Sequence, residues 1–216
     1  MLKTVILADD HIVLRNALAT LINSFPGFNV INMADNGTEV VKAIESGYLP
    51  GIIVLDLNMP KMDGFETAKW LHDNHPEIKI LVLTMFDSEI ALIRLLQLGV
   101  RGFLKKDIHP GELNNALDAV AQDGFYYSHQ TTGKLGNLFK KTNDKNGSIE
   151  RAILNELEIN FIKFAASELT YKEIASAMNL TPRIVDNLRD SLFDKLNIKS
   201  RVGLAIYAVK NGVVTF

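Results

Sequence analysis

Six side chains in the first half of the chain could together bind a divalent cation and accept a phosphoryl group. They are Asp9, Asp10, Asp56, Thr84, Lys105 and Lys106. Three carboxylates that lie close together repel one another and favour a bound cation, and their hard oxygen ligands suit Mg²⁺. A transferred phosphoryl group needs a nucleophile, a cation and hydrogen-bond donors on its oxygens. Asp56 can supply the nucleophile, while Thr84 and a lysine can supply the donors.

These side chains stand where predicted strands end. Five short apolar runs, residues 4–8, 28–33, 52–55, 78–83 and 102–104, alternate with segments whose apolar residues recur at helical spacing. This alternation predicts an α/β fold, a doubly wound five-stranded parallel sheet with helices on both faces. Ligands bind beyond the carboxyl ends of such strands, so the six side chains are expected to meet there. A last helix is predicted from Pro110 to Gln122.

Several short motifs at these strand ends are typical of one known family. They are Asp9-Asp10, Asp56-Leu57-Asn58-Met59-Pro60 with Asp63-Gly64, Leu83-Thr84, and Gly102-Phe103-Leu104-Lys105-Lys106-Asp107. On these motifs, residues 1–127 resemble the receiver domain of two-component response regulators, which has a flavodoxin-like fold.

The resemblance implies that Asp56 is the phosphoacceptor and that the donor is a sensor histidine kinase. It implies that Mg²⁺ is bound by Asp9, Asp10, Asp56 and the backbone carbonyl of Asn58. It also implies that Thr84 and Lys106 hold the phosphoryl oxygens, because Lys106 follows the switch aromatic Phe103 by three residues. Phosphorylation is expected to shift an existing equilibrium, in which Thr84 moves toward the new charge and Phe103 packs inward.

Other catalytic sites lack their required residues. No glycine-rich dinucleotide or Walker-type phosphate loop occurs, and Asn58 removes the general acid that a dehalogenase-type phosphatase needs two residues after its nucleophile. The chain has no cysteine, which excludes disulfides and thiolate nucleophiles. The histidines show no ligand spacing and are interpreted as surface or capping residues; they are His11, His72, His75, His109 and His129. No enzyme activity is expected beyond the receiver's assistance to its own phosphorylation and dephosphorylation.

The second half of the chain is predicted to be all α-helical. Residues 128–149 are rich in turn formers and charge and predict a linker, whereas residues 150–216 contain four helical patterns. Thr170 and Glu173 have capping-box spacing, and Thr181 precedes a proline suited to a first helical turn. A short helix, a tight turn at Asn179 and a longer third helix have the spacing of a helix-turn-helix, although a plain helical bundle has the same pattern.

This half resembles the LuxR-type helix-turn-helix. The matching residues are Leu154, Glu158, Lys172-Glu173-Ile174-Ala175, Thr181-Pro182-Arg183, Val185, Lys195-Leu196 and Lys199-Ser200-Arg201. A receiver followed by this module is the NarL/FixJ class of response regulator, whose members bind DNA with the third helix of the module, usually as dimers. A homodimer on phosphorylation or DNA binding is therefore an expectation. Leu204, Tyr207 and Ala208 form an apolar stripe on the last predicted helix. This stripe belongs either to the interface of such a homodimer or to the core of the domain itself.

The candidate DNA-contact residues form an unusual face. They are Arg183, Asp186, Asn187, Arg189, Lys195, Lys199 and Arg201. Asp186, Asp190 and Asp194 make an acidic stripe at i, i+4 and i+8, where family members often carry cations at the first two positions. Phosphates repel carboxylates, although one Asp can accept a hydrogen bond from cytosine.

Two hypotheses for the output domain remain open at this point. The first is a phosphorylation-switched regulator of transcription that binds DNA. The second is a regulator whose output domain binds a protein and has lost DNA affinity. Pairing of the acidic stripe with Arg183, Arg189 or the linker lysines favours the first hypothesis, and an outward, unpaired stripe favours the second.

Net charge and hydropathy limit the classes of binding partner and the cellular locations that the sequence allows. The chain has 216 residues and a net charge of −2, which divides into −6 for residues 1–128, +3 for residues 129–149 and +1 for residues 150–216. The output half is thus barely basic. The first apolar run, residues 5–8, is too short for a signal peptide or a membrane span, so a cytoplasmic protein is expected.

Overall fold

The structure is a computed structural model that describes residues 2–85, 89–122, 124–127, 154–211 and 213–214, with the backbone alone for residues 89 and 90. The chain divides into two compact units. The first contains a parallel sheet with its helices, and the second is helical. The predicted linker, residues 128–149, lies outside the described residues, so the domain boundaries stay a prediction.

Six parallel strands form one sheet in the order β2-β1-β3-β4-β5-β6. They are β1 (Lys3–Ala8), β2 (Phe28–Ala34), β3 (Ile52–Leu55), β4 (Lys79–Thr84), β5 (Gly102–Lys105) and β6 (Tyr126–Tyr127). The strand order reverses beside β1, where a crevice opens at the carboxyl ends of the strands. Because Ala8 pairs with Leu55, Asp9 and Asp56 follow adjacent strand ends at the same height.

The strands β1, β3, β4 and β5 are mainly apolar because helices cover both faces of the sheet. Val5, Leu7, Val54, Leu81 and Leu104 share one buried cluster with residues of α1 (Ile12–Ser24) and α5 (Pro110–Ala121). The alternate strand residues are buried on the opposite face. The helices on that face are α2 (Gly37–Glu45), α3 (Gly64–Asn74) and α4 (Glu89–Gln97).

The second unit has four helices, and side-chain caps start each of them. The helices are α6 (Glu156–Ala165), α7 (Tyr171–Ala177), α8 (Pro182–Leu196) and α9 (Arg201–Lys210). Their capping residues are Asn155, Thr170, Thr181 and Ser200, and each accepts a hydrogen bond from a backbone N–H of the first turn. Asn179, at φ +54°, takes the left-handed conformation in the tight turn between α7 and α8.

The helices of this unit enclose their own core. Ile174, Val185, Leu192, Leu204 and Ala208 are each fully buried in one cluster. Two of these residues belong to the stripe on α9 that was a candidate dimer seam, so the inner part of that stripe packs within its own domain. The exposed apolar residues of α9 are Val202 and Ile206.

The predicted α/β fold class is confirmed, with local differences. All five predicted strands are present, and a sixth strand of two residues was not predicted, because Tyr126 and Tyr127 have no apolar run around them. The helix α6 ends at Ala165, where Arg201 donates to the carbonyl oxygens of Ala165 and Ser167. Among the described helices, none has the length and apolar character that a membrane crossing needs.

Gly64 allows α3 to begin directly against the loop that follows β3. A Cβ atom at this position would lie 2.2 Å from the carbonyl oxygen of Asp56 and 2.6 Å from Cα of Leu57. The backbone N–H of Gly64 also donates to the carbonyl oxygen of Leu57 at 3.0 Å. The loop that carries Asp56 therefore depends on a residue without a side chain at the first turn of α3.

We expect Gly64→Ala to lower the free energy of unfolding by about 1–3 kcal/mol, because the added methyl group forces the backbone of Asp56 and Leu57 to move. Urea unfolding measures this effect. Gly111→Ala is the matched control, since a Cβ atom there meets nothing within 4 Å and the helix α5 gains stability from alanine. Equal losses in the two variants would contradict the prediction.

Candidate functional site

Two buried carboxylates and one ammonium group form the centre of the site. Asp9 and Asp56 follow β1 and β3 and are 2% and 3% exposed. The Nζ atom of Lys106, which follows β5, lies 2.8 Å from Oδ2 of Asp9 and 2.8 Å from Oδ2 of Asp56. The topology thus brings residues that are up to 97 positions apart into one ion-paired cluster. Lys105, in contrast, is the last residue of β5 and is half-buried.

Burial and charge shift the acid–base equilibria of this cluster. Burial raises the pKa of Asp56, as does the negative charge of Asp9, while the hydrogen bond from Lys106 offsets part of that rise. Burial alone would lower the pKa of Lys106, but its hydrogen bonds to Asp56 and Asp9 outweigh burial and raise that pKa. The lysine therefore stays charged beside the carboxylates.

The chemistry of the donor set fits a hard divalent cation. Ligand atoms of Asp9, Asp10, His11 and Asp56 all lie within 4.8 Å of one another. Three of these four groups are carboxylates, and Asp10 is open to solvent. Carboxylate oxygens with access to water match the coordination that Mg²⁺ prefers. Asn58, whose backbone carbonyl is the remaining expected ligand, is half-buried in the loop after β3.

Sequence reasoning missed two residues that hold the acidic loop in place. His11 was interpreted as a surface or capping residue. It is the exposed N-cap residue of α1, and its Nδ1 atom also lies 3.0 Å from Oδ1 of Asp9 and 2.9 Å from Oδ1 of Asp10. The buried Arg15 donates to the carbonyl oxygen of Asp9 and pairs with Asp35. The sequence offered only one signal for these contacts: His11 and Arg15 follow Asp9 by two and six residues.

The two expected switch residues are both buried. Thr84 ends β4 and is 1% exposed, and its carbonyl oxygen accepts a hydrogen bond from the backbone N–H of Lys106. Phe103 lies on β5 and is 4% exposed, so this aromatic ring is already inside the domain. The structure thus places Thr84 on β4, Phe103 on the neighbouring strand β5, and Lys106 directly after β5.

The outward face of α8 carries the second set of predicted site residues. Arg183, Asp186 and Asn187 are exposed. Arg189 pairs with two acids of the stripe: Nη1 lies 2.9 Å from Oδ1 of Asp186, and Nη2 lies 2.8 Å from Oδ1 of Asp190. The hydrogen bond to Asp190 is the main cause of a raised pKa at Arg189. For the exposed Asp194, the described residues provide no ion-pair partner.

Lys195 and Arg201, two further DNA-contact candidates, make contacts inside the helical unit. The Nζ atom of Lys195 lies 2.8 and 2.7 Å from the two carboxylate oxygens of Glu158, which is 6% exposed. Arg201 donates to the carbonyl oxygens of Ala165 and Ser167 at 2.9 and 2.6 Å. These contacts fix α8 and α9 to α6. Lys199 is exposed.

The aromatic ring of Tyr171, which also stacks on Phe161 of α6 at 6.2 Å, connects four helices. Arg189 of α8 lies over this ring at 5.1 Å and Arg201 of α9 at 5.4 Å, while Tyr171 itself begins α7. Cations over an aromatic face are attracted by its quadrupole. The orientation of Arg189 on the outward face is therefore set by Tyr171 as well as by the two aspartates.

Both halves of the chain match known families. Residues 5–118 match the family described as "Response regulator receiver domain", and residues 152–208 match "Bacterial regulatory proteins, luxR family". The transcriptional regulatory protein DegU of Brevibacillus brevis is 26% identical over 97% of this chain and 94% of its own length. The response regulator GacA of Pseudomonas viridiflava is 29% identical over 97% of each chain.

A solved structure shares the fold of the whole chain. It is RcsB of Salmonella enterica serovar Typhimurium, bound to a promoter in the presence of the phosphomimetic BeF3⁻. The TM-score is 0.68 at 22% identity, over 96% of this chain and 98% of that one.

We expect Lys195→Met to lower the free energy of unfolding of the helical unit by roughly 3 kcal/mol, because Glu158 is then buried without its countercharge. Thermal unfolding followed by circular dichroism measures the change. Combining Lys195→Met with Glu158→Gln should recover part of the loss, and Lys199→Met, at an exposed lysine, should have almost no effect. A wild-type melting curve for Lys195→Met would contradict a structural role for this ion pair.

Proposed function

Because the chain belongs to the response regulators that carry a LuxR-type helix-turn-helix, we propose that phosphorylation of Asp56 switches DNA binding by α8 and thereby regulates transcription. The observation that carries the proposal is the buried cluster of Asp9, Asp56 and Lys106 at the carboxyl ends of the strands. A carboxylate held beside a second acid and an ammonium group has the nucleophile and the hydrogen-bond donor that phosphoryl transfer needs.

Asp56 is proposed to be the nucleophile toward a phosphohistidine of a sensor kinase. Its Oδ1 atom accepts a hydrogen bond from the backbone N–H of Leu57 at 2.8 Å, and its Oδ2 atom faces Lys106. These contacts fix the carboxylate before the donor arrives, which lowers the orientational cost of the reaction. After the transfer, the ammonium group of Lys106 and the hydroxyl of Thr84 would donate hydrogen bonds to the phosphoryl oxygens.

Mg²⁺ is the proposed cofactor, held by Asp9, Asp10, Asp56 and the backbone carbonyl of Asn58. The close set of carboxylates supports this assignment. When bound, the cation supplies positive charge that offsets the charge of the phosphoryl oxygens. His11 contributes by orienting Asp9 and Asp10, because an imidazole nitrogen suits Mg²⁺ less well than carboxylate oxygen does.

The switch is proposed to be a shift between two states of Thr84 and Phe103. Since Phe103 is already buried here, phosphorylation would raise the population of a state that the protein visits without it, and would not create a new one. The receiver would assist its own phosphorylation and dephosphorylation, with no other catalytic activity. We place the protein in the cytoplasm, where both the kinase domain and the chromosome are accessible.

The DNA-binding hypothesis is preferred over a protein-binding output domain. RcsB, whose fold the chain shares, is bound to a promoter in its structure, and Arg189 pairs with two of the three acids that argued against DNA. We propose that Arg183, Asp186, Asn187, Arg189 and Lys199 contact DNA. Lys195 then acts chiefly by positioning α8, and Arg201 by positioning α9, with a homodimer as the DNA-bound form.

We expect the protein to gain one phosphoryl group when it is incubated with Mg²⁺ and a small phosphodonor or with a cognate kinase. Intact-protein mass spectrometry measures the gain. Asp56→Asn should abolish it, whereas Asp73→Asn, at an exposed carboxylate paired with Lys69, should leave it unchanged. Failure of both donors, or an undiminished gain in Asp56→Asn, would overturn the assignment of the phosphoacceptor.

We expect selection from random DNA to enrich one sequence, with higher affinity for the phosphorylated protein than for Asp56→Asn. Binding at several salt concentrations, measured by fluorescence anisotropy, gives the affinities, because phosphate contacts make them salt-dependent. Enrichment of no sequence in either phosphorylation state would reject DNA binding and support the protein-binding alternative.

A further inference from the structure

We propose that Asp186 and Arg189 act as one unit that selects a G·C base pair in the DNA bound by α8. The proposal rests on the proposed DNA-binding function and names the residues that give it sequence preference. It begins from the acidic stripe, which a general affinity for DNA does not explain. A carboxylate on the outward face of a DNA-binding helix opposes binding to phosphates, so its presence there calls for a specific contact.

The geometry of α8 supports such a contact at Asp186. Residues near the N-terminus of a recognition helix contact base edges, and Asp186 is the fifth residue of α8. Its side chain is 53% exposed, and its Oδ1 atom accepts a hydrogen bond from Nη1 of Arg189 at 2.9 Å. Within the described part of the chain, Oδ2 of Asp186 accepts no hydrogen bond, so it can accept one from a base.

Arg189 reduces the electrostatic cost of bringing this carboxylate to DNA. Its guanidinium group contacts Asp186 and Asp190 and lies over the ring of Tyr171, which leaves the side chain 25% exposed. A guanidinium group that is fixed in this way neutralises part of the local negative charge at the helix surface. It also holds the carboxylate of Asp186 in one orientation, so little side-chain freedom remains to be lost on binding.

The exposed groups of the pair complement a G·C base pair. In the major groove, guanine presents the N7 and O6 acceptors and cytosine presents the N4 donor. Oδ2 of Asp186 supplies an acceptor for cytosine N4. The guanidinium group has five N–H donors, of which Asp186 and Asp190 engage three, so donors remain for guanine. An A·T pair presents two acceptors and one donor in a different order, with the adenine N6 donor between the acceptors, so it does not match this arrangement.

The other two acids of the stripe are placed less well for this role. Asp190 lies one turn further along α8 and contacts two nitrogen atoms of Arg189 through a single oxygen. Its contribution is to orient the guanidinium group. Asp194 lies two turns from Asp186 and has no ion pair with any described residue. Asp194 therefore has the same charge as Asp186 and belongs to the same acidic stripe, but it is not paired with Arg189.

The experiment compares Asp186→Asn with Asp194→Asn in the full-length phosphorylated protein. Each variant undergoes selection from random DNA, and its affinity is then measured for the enriched sequence and for that sequence with each G·C pair replaced by A·T. Both substitutions remove one negative charge, so both should raise affinity for sequences that lack the contacted G·C pair. Only Asp186→Asn should also lose discrimination, by about tenfold at one G·C position.

Arg189→Gln provides an independent variant of the same unit. It should lose the preference at the same base pair and, unlike Asp186→Asn, should bind all sequences more weakly, because Asp186 and Asp190 lose their countercharge. Circular dichroism checks that each variant is folded. Asp186 is exposed, so its substitution should leave the fold intact. Loss of preference in both variants at a single shared G·C position supports the proposal.

Two other outcomes would overturn it in distinguishable ways. If the wild type selects a sequence and Asp186→Asn selects the same sequence with the same discrimination, Asp186 does not read a base, while DNA binding stands. If the wild type enriches no sequence in either phosphorylation state, the proposed DNA-binding function fails together with this inference.

Discussion

The receiver is organised around the repulsion between carboxylates that the fold forces together. Asp9 and Asp56 are both buried, and like charges at this distance require a compensating cation. Lys106 supplies one through two contacts of 2.8 Å. The strand order makes the arrangement possible, because β1 and β3 are adjacent and end at the same edge of the sheet. Chemistry at Asp56 therefore changes the balance of charge on which the surrounding loops depend.

The fold and the acidic site were largely predictable because their signals are local. Apolar runs marked the five main strands, and capping residues such as Thr170 and Thr181 marked helix starts within a residue. The α/β topology then placed Asp9 and Asp56 together without any further information. In this way, local apolar runs and helical periodicity predicted contacts between residues far apart in the chain.

Other features were not predictable because they depend on long-range partners. Nothing in the neighbourhood of Lys195 shows that its ammonium group is held by Glu158, 37 positions earlier. A lysine near the end of a DNA-binding helix looks like a phosphate contact until its partner is known. The same holds for Arg201, which binds carbonyl oxygens of α6 and its C-terminal turn. Cations on an output domain thus divide into those that face solvent and those that join helices.

The contacts of Tyr171 have a consequence for how this protein can change over evolutionary time. The ring carries Arg189 on one helix and Arg201 on another, so a residue of the DNA-binding face and a residue of the scaffold share one support. Under the proposed function, a substitution at Arg189 would alter target preference and packing in the same step. Drift toward a new operator sequence through position 189 would therefore be epistatic with positions 171 and 201.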